Sequence, residues 1–198
     1  MSIKLQPNYF YHIYNQANGN ENLFIHDENY NYFLNRFFEF ISPIAEIYAY
    51  CLMPNHFHFL IKIKEEESIE KLKSLKDSQT NISNEIYLSR QFSNFFNAYT
   101  KAFNKVFKRR GSLFQQNFKR KQIDSDEYFT KIIHYIHANP VHHGFVKSIE
   151  EWQYSSYKSI MNSHTNYLKS KEVLDWFNGL NEYIAYHKQP ISIKSDLK

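Results

Sequence analysis

His56 and His58 stand two residues apart in "AYCLMPNHFHFLIKI", Ala49 to Ile63. The run is otherwise apolar and reads as a strand. Side chains alternate along a strand, so both imidazoles share one face with Leu60 and Lys62, their Cα atoms roughly 7 Å apart. Phe57, Phe59, Ile61 and Ile63 take the opposite face and read as core. Two imidazoles at that spacing can converge on one cation and leave coordination positions open, as a catalytic metal requires. The same pair also describes two hydrogen-bonded sheet histidines, and the spacing alone leaves both readings open.

A second constellation lies further along the chain. Tyr128, Ile132, Tyr135 and Asn139 are spaced four, three and four apart, which puts them on one face of a helix. If that helix crosses the histidine face of the sheet, Tyr135 and the Asn139 amide reach the imidazoles. Two imidazoles and an amide oxygen, completed by water and a phosphate oxygen, suit Mg²⁺ or Mn²⁺ better than a closed zinc site. A phenol beside them is a candidate nucleophile. In a chain with 16 tyrosines, a core tyrosine with a hydrogen-bonded hydroxyl is the competing description.

These residues need a scaffold, and composition allows one. The chain has 198 residues, 42% hydrophobic and 18% aromatic, enough for one sizeable core and too apolar for disorder. Cys51 is the single cysteine, which excludes an internal disulfide and a cysteine-based zinc site. No signal-peptide pattern opens the sequence, and no run of about 18 apolar residues occurs. A cytoplasmic protein without a membrane partner is expected. The stretch "KAFNKVFKRRGSLFQQNFKRKQ", residues 101–122, holds eight of the 24 basic residues and none of the 20 acidic ones, so the remainder is net acidic. A basic block on an acidic chain points to a polyanion, although a solvated helix face has the same charge pattern.

The elements follow from periodicity. Residues 8–16, 44–52 and 56–63 read as strands, the last two joined at "MPN", and a fourth strand follows "SLFQQNF". A helix with Asp27 as N-cap carries Tyr30, Phe33, Leu34, Phe37, Phe38 and Ile41 on one face. The polar segment 64–85 reads as a connector with a short helix over Ile69 to Leu75. A long helix from Ile86 ends at Arg110 and Gly111, and the tyrosine helix starts at Asp124 or Ser125 and stops at Pro140. The order β-α-β-β-α-β-α predicts an α+β fold: a ferredoxin-like, RRM-like split βαβ antiparallel sheet, with the two long helices on one face and the other face open to a ligand.

"YAYCLMPNHFHFLIK", "FNAYTKAFNKVFKRRGSLFQQNFK" and "HYIHANPVHHGFV" resemble successive motifs of the REP-associated tyrosine transposases, relatives of the single-tyrosine insertion-sequence transposases of the HUH nuclease class. The likeness runs from "YHIYNQ" and "LFIHDENYNYFL" through "WQYSSYKSI" and, more loosely, to "KEVLDWF". The resemblance implies that His56 and His58 bind a divalent metal, with Asn139 at the place of a third, amide ligand, and that Tyr135 is the nucleophile. It implies cleavage and joining of single-stranded DNA beside imperfect hairpins through a 5′-phosphotyrosine. "YNQANGNEN" departs from the Asn-Arg-Gly-like turn that such relatives show, and the connector at 64–85 is long for the family.

On this reading residues 1–145 form the nuclease domain and 146–198 a helical extension packed on it. Lys108, Arg109, Arg110, Lys119, Arg120 and Lys121 are the expected contacts to the DNA backbone. His134, His137, His142 and His143 crowd the tyrosine, and the last three read as packing or phosphate-contact residues. The relatives' behaviour allows either a monomer or a homodimer. A catalytically silent hairpin binder is the alternative that Tyr135 decides. An RNA-binding module would instead place aromatics where the histidines stand.

Overall fold

A computed structural model describes residues 3–76, 82–162 and 166–190. Strands β1 (Phe10–Gln16), β2 (Ala45–Met53), β3 (His56–Ile63) and β4 (Lys119–Ile123) form one antiparallel sheet in the order β2-β3-β1-β4. Helix α1 (Asp27–Ile41) connects β1 to β2, and β3 leads through α2 (Glu66–Lys76) and α3 (Asn84–Val106) to β4. This is the expected α+β split βαβ connectivity. Helix α4 (Asp126–His142) follows, then a 3₁₀ turn (Ile149–Glu151) and the short helices α5 (Tyr157–Asn162), α6 (Ser170–Trp176) and α7 (Leu180–His187).

Strand alternation sorts the sheet into two faces. Tyr11, Ile13, Phe57, Phe59, Ile61 and Ile63 are buried against α1 and α3. There Phe37 stacks on Phe59 with ring centres 3.7 Å apart, and Phe33 meets Phe57 and Phe95 at 5.1 and 4.9 Å. Aromatic pairs of this kind add to the hydrophobic gain of burying large rings.

The opposite face is not open, contrary to expectation. Helix α4 packs across β2 and β3, and its apolar side puts Phe129, Ile132, Ile133 and Ile136 out of water. Phe129 closes on Phe10 at 5.1 Å and Tyr48 at 5.6 Å, and Trp176 of α6 covers it at 4.4 Å. A sheet face bearing Phe10, Tyr48, Ala49 and Leu60 is too apolar to leave in solvent. The end bearing His56 and His58 stays accessible as a cleft.

The segment after α4 also closes the exposed edge of β2, where unpaired amides would otherwise invite association. Leu52 N donates to Tyr154 O (2.9 Å), Ser156 N to Tyr50 O (2.9 Å), and Trp152 Nε1 to Leu52 O (3.0 Å). A buried chain of hydrogen bonds extends from this edge. Tyr50 N donates to Ser156 Oγ (2.8 Å); Ser156 Oγ meets His137 Nε2 (2.8 Å); His137 Nδ1 meets His187 Nε2 (2.9 Å); His187 Nδ1 donates to Tyr183 O (2.7 Å). The carbonyl at the end can only accept, so it fixes the proton order along the whole chain.

Several element ends differ from expectation. His26, not Asp27, is the N-cap of α1, and the Asn29 side chain accepts from the His26 amide at 3.0 Å. The connector helix is longer than Ile69 to Leu75, covering Glu66–Lys76; residues 77–81 of that connector lie outside the described ones. Helix α3 ends at Val106, before Arg110 and Gly111, because Lys108 takes the left-handed conformation (φ 50°) and Arg109 N reaches back to Asn104 O (2.9 Å). Pro140 does not stop α4. The helix continues to His142 and is ended by Gly144 (φ 69°), with Gly144 N on Val141 O (3.0 Å) and Phe145 N on Pro140 O (2.9 Å). One missing amide near a helix end forfeits a single hydrogen bond, which the packed face of α4 outweighs.

Candidate active site

Register brings the site together. The antiparallel pairing of β1 with β3 sets Tyr14 opposite His58, and His12 opposite Leu60. His56, His58, His12 and Tyr14 therefore share the face over which α4 lies. Tyr135 and Asn139 fall on the side of α4 that meets them, as their spacing predicts. Ser125 caps α4 by accepting from Tyr128 N (3.3 Å). Tyr14, His56, His58, Tyr135 and Asn139 line a cleft of ≈ 380 Å³ together with His143, Asn55, Gln115 and Lys119, and His12 lies behind His58.

Each imidazole is held by its Nδ1. His56 Nδ1 lies 2.7 Å from Asn55 Oδ1, and His58 Nδ1 lies 2.8 Å from His12 Nε2. Both rings are thus held through Nδ1, and they stand at 88° with centres 5.2 Å apart. His56 Nε2 is 3.3 Å from Asn139 Oδ1, and the Asn139 amide nitrogen donates to Tyr135 O at 3.4 Å, which turns the oxygen toward the histidine.

Burial favours the neutral rings. It lowers the His56 pKa to about 4 and holds that of His58 well below the usual histidine range. His12 falls to about 3, through burial first and the Lys121 charge second. A neutral His56 carries one proton yet faces two acceptor oxygens, Asn55 Oδ1 and Asn139 Oδ1. If Nδ1 donates to Asn55, the Nε2 lone pair points at the Asn139 oxygen. A cation between two such donors resolves the conflict. Neutral imidazoles anchored through the far nitrogen are also the form in which histidine binds metal. The residues present fit a divalent ion at His56, His58 and Asn139. Among the described residues, no cluster of three or more His, Cys, Asp or Glu side chains could hold one instead.

Tyr135 is 8% exposed and stands edge-on to His58 (5.6 Å) and His12 (6.0 Å). Burial raises its pKa, and the Asn139 side chain partly opposes that. The resting phenol is protonated, and attack by its oxygen needs a nearby positive charge.

The basic residues divide between places. Lys119 and Lys121, paired with Tyr14 and His12, lie on the cleft face; Lys121 Nζ sits 5.2 Å from the Tyr128 ring centre. Arg120 points to the α3 face, its guanidinium 5.0 Å from the Phe118 ring centre. Lys108 and Arg110 are exposed. The fork of Arg109 is engaged within the chain. Nε donates to Glu21 Oε1 (2.9 Å), Nη1 to Asn104 Oδ1 (2.9 Å), and Nη2 to Ser112 O (2.7 Å), with a further ion pair to Glu21. It clamps the loop after α3.

Of the four later histidines, only His142 and His143 lie near the tyrosine, the latter 4.9 Å from the His56 ring. His137 and His134 face the C-terminal layer instead, against His187. Sequence reasoning missed His12 and Asn55. His12 carries no local signal, because its partner is 46 residues away and only the β1–β3 register joins them.

No family model matches the chain. A Haemophilus influenzae protein whose name assigns it as a REP-associated tyrosine transposase is 28% identical over 114 residues, 57% of this chain and 58% of that relative. The match thus spans less than two thirds of the relative's length. A solved structure, described as a REP-associated tyrosine transposase bound to a REP hairpin, superposes with a TM-score of 0.58 at 18% identity, over 82% of this chain and 84% of that one. The chain resembles the REP-associated tyrosine transposases. The resemblance to this family holds at the level of sequence, and the four-stranded α+β fold is shared with the solved transposase. No helix among the described residues is long and apolar enough to cross a membrane.

Proposed function

We propose that this chain is a metal-dependent endonuclease and strand transferase of the HUH single-tyrosine type, acting on single-stranded DNA beside hairpins. The observation that carries the reading is the convergence of Tyr135, His56, His58 and Asn139 on one cleft. Both similar proteins carry the name of a tyrosine transposase, and one of them is described with a REP hairpin bound, which supports the coarser part of this reading.

Mg²⁺ or Mn²⁺ at His56, His58 and Asn139 would neutralise charge on the scissile phosphate. His12 and Asn55 hold the two imidazoles in the metal-binding orientation. Tyr135 Oη attacks phosphorus as its proton leaves, the bond from phosphorus to the 3′ oxygen breaks, and a 5′-phosphotyrosine and a free 3′-hydroxyl result. The ester keeps the phosphodiester's energy, so a 3′-hydroxyl can reverse the step and join strands. Lys119 and Lys121 border the path of the phosphates, and Lys108, Arg110 and Arg120 extend the positive surface. Arg109 serves this surface through the loop it holds.

Labelled hairpin DNA from repeats flanking the gene, incubated with Mn²⁺ or Mg²⁺ and run on a denaturing gel, tests the proposal. A covalent protein–DNA band is expected with wild type and is absent with Tyr135→Phe or with chelator. Salt-sensitive binding without any covalent band would replace the proposal with a silent hairpin binder.

A further inference from the structure

A pocket of ≈ 350 Å³ lies against the tyrosine helix and shares no lining residue with the cleft. One wall is a stripe of α4, His134, Ala138 and Val141, spaced four and three apart. Tyr135 and Asn139 occupy a different stripe of the same helix. The other walls come from the turn after α4, at Lys147 to Glu150, and from the end of α7, at His187 to Pro190. Helix, turn and chain end together enclose a space of small-ligand size.

Three kinds of surface meet in this pocket. Lys147 and Lys188 bring ammonium groups from two segments, and neither makes an ion pair among the described residues. Ala138, Val141 and Ile149 give an apolar wall, beside the rings of His134 and His187 with centres 5.1 Å apart. Burial keeps both rings neutral, so the lysines supply the positive charge. His134 Nε2 is buried and has no hydrogen-bond partner among the described residues. Glu150 is the acceptor, its carboxylate taking only a long contact from Tyr157 Oη (3.5 Å), and the Gln189 amide stands in the same pocket. This set selects among anions. A bare phosphate uses the lysines alone, and the Glu150 charge beside them repels it. A phosphate joined to a flat ring with N–H groups uses every surface: ammonium groups at the phosphate, apolar and imidazole walls at the ring, Glu150 and Gln189 at its N–H edge.

We propose that this pocket binds a free nucleoside monophosphate, with Lys147 and Lys188 at the phosphate and Glu150 at the base. It is a site apart from the DNA surface, since the basic block 101–122 contributes no residue to it. The proposal does not depend on chemistry at Tyr135.

The test titrates the full chain calorimetrically with dAMP, dGMP, dCMP, dTMP and inorganic phosphate, without DNA. At least one nucleotide should bind, dGMP first because its base offers adjacent N–H donors to a carboxylate, and Tyr135→Phe should bind it equally. Lys147→Ala/Lys188→Ala should weaken binding by about tenfold or more, and Glu150→Gln should remove the preference among bases. Unfolding midpoints without nucleotide separate lost binding from a lost fold. A photoreactive azido nucleotide should crosslink wild type within residues 134–150 or 187–190. No binding of any nucleotide at millimolar concentration, undiminished binding in the lysine variant, a base preference that survives Glu150→Gln, phosphate bound as tightly as nucleotides, or crosslinks confined to the cleft would each overturn the proposal. Hairpin DNA provides the last arm. Crosslinking that persists with hairpin bound supports a site for free nucleotide; its loss would assign the pocket to the DNA and overturn the proposal. Every one of these outcomes leaves the nuclease reading standing, because none of them reads the covalent band.

Discussion

At the residue scale, the site depends on how two imidazoles are held. His12 and Asn55 anchor His58 and His56 through Nδ1, and the proposed metal would take the Nε2 atoms. Groups that orient metal ligands in this way are typically worth 10–100-fold in affinity. His12→Phe should therefore weaken Mn²⁺ binding by about 10–100-fold, read by calorimetry or paramagnetic relaxation, while His56→Ala/His58→Ala abolishes it. Undiminished Mn²⁺ binding in the double variant would place the metal elsewhere. His56, His58, Tyr135 and Asn139 were legible in the sequence because periods of 2 and 3.6 assign faces without tertiary knowledge. His12 was not, because register between distant strands is set by packing and not by local pattern.

At the element scale, α4 is fixed at both ends and along its back. The hydrogen-bond chain through Ser156, His137 and His187 ties its middle to β2 and α7. Ser156→Ala leaves the His137 nitrogen without its donor, and should cost about 1–3 kcal/mol in denaturant unfolding; a change under a few tenths would show that the chain is not needed. The termini misled sequence reasoning for a physical reason. Pro140 sits one turn from the end, where losing an amide matters little, and Gly144 supplies the left-handed residue that ends the helix. In α3 that place falls to Lys108, which bears a strained φ of 50°. Lys108→Gly should stabilise the protein by roughly 1 kcal/mol, seen as a raised unfolding midpoint. The sheet and the two helices behind it were legible from apolar periodicity. The helices of the other layer were expected, but the bounds of α5, α6 and α7 and the sheet face they help to cover were not, since these helices are short and carry weak periodic signal.

At the scale of the whole molecule, the fold keeps several histidines neutral. Burial lowers His134 to about 4, His187 to about 3 and His137 well below its ordinary range. Unfolded histidines titrate near 6.5. Between that value and the folded ones the unfolded chain binds more protons, so their contribution is complete above pH 6.5 and declines as pH falls toward the folded values. The loss is about 1.4 kcal/mol per pH unit for each such histidine. Unfolding midpoints should drop steeply from pH 6.5 to pH 5, and a flat profile there would mean that these rings are hydrated in the folded state. The polyanion partner expected from the basic block is consistent with where its charges fall, on both sides of β4, although Arg109 holds a loop.

The most direct test of the central claim is where DNA attaches. After reaction with hairpin DNA and Mn²⁺, the protein is denatured, digested and sequenced by mass spectrometry. The account predicts a 5′-phosphonucleotide on Tyr135 alone among the 16 tyrosines. An adduct on Tyr14 or Tyr128, or on a residue outside the cleft, would contradict it.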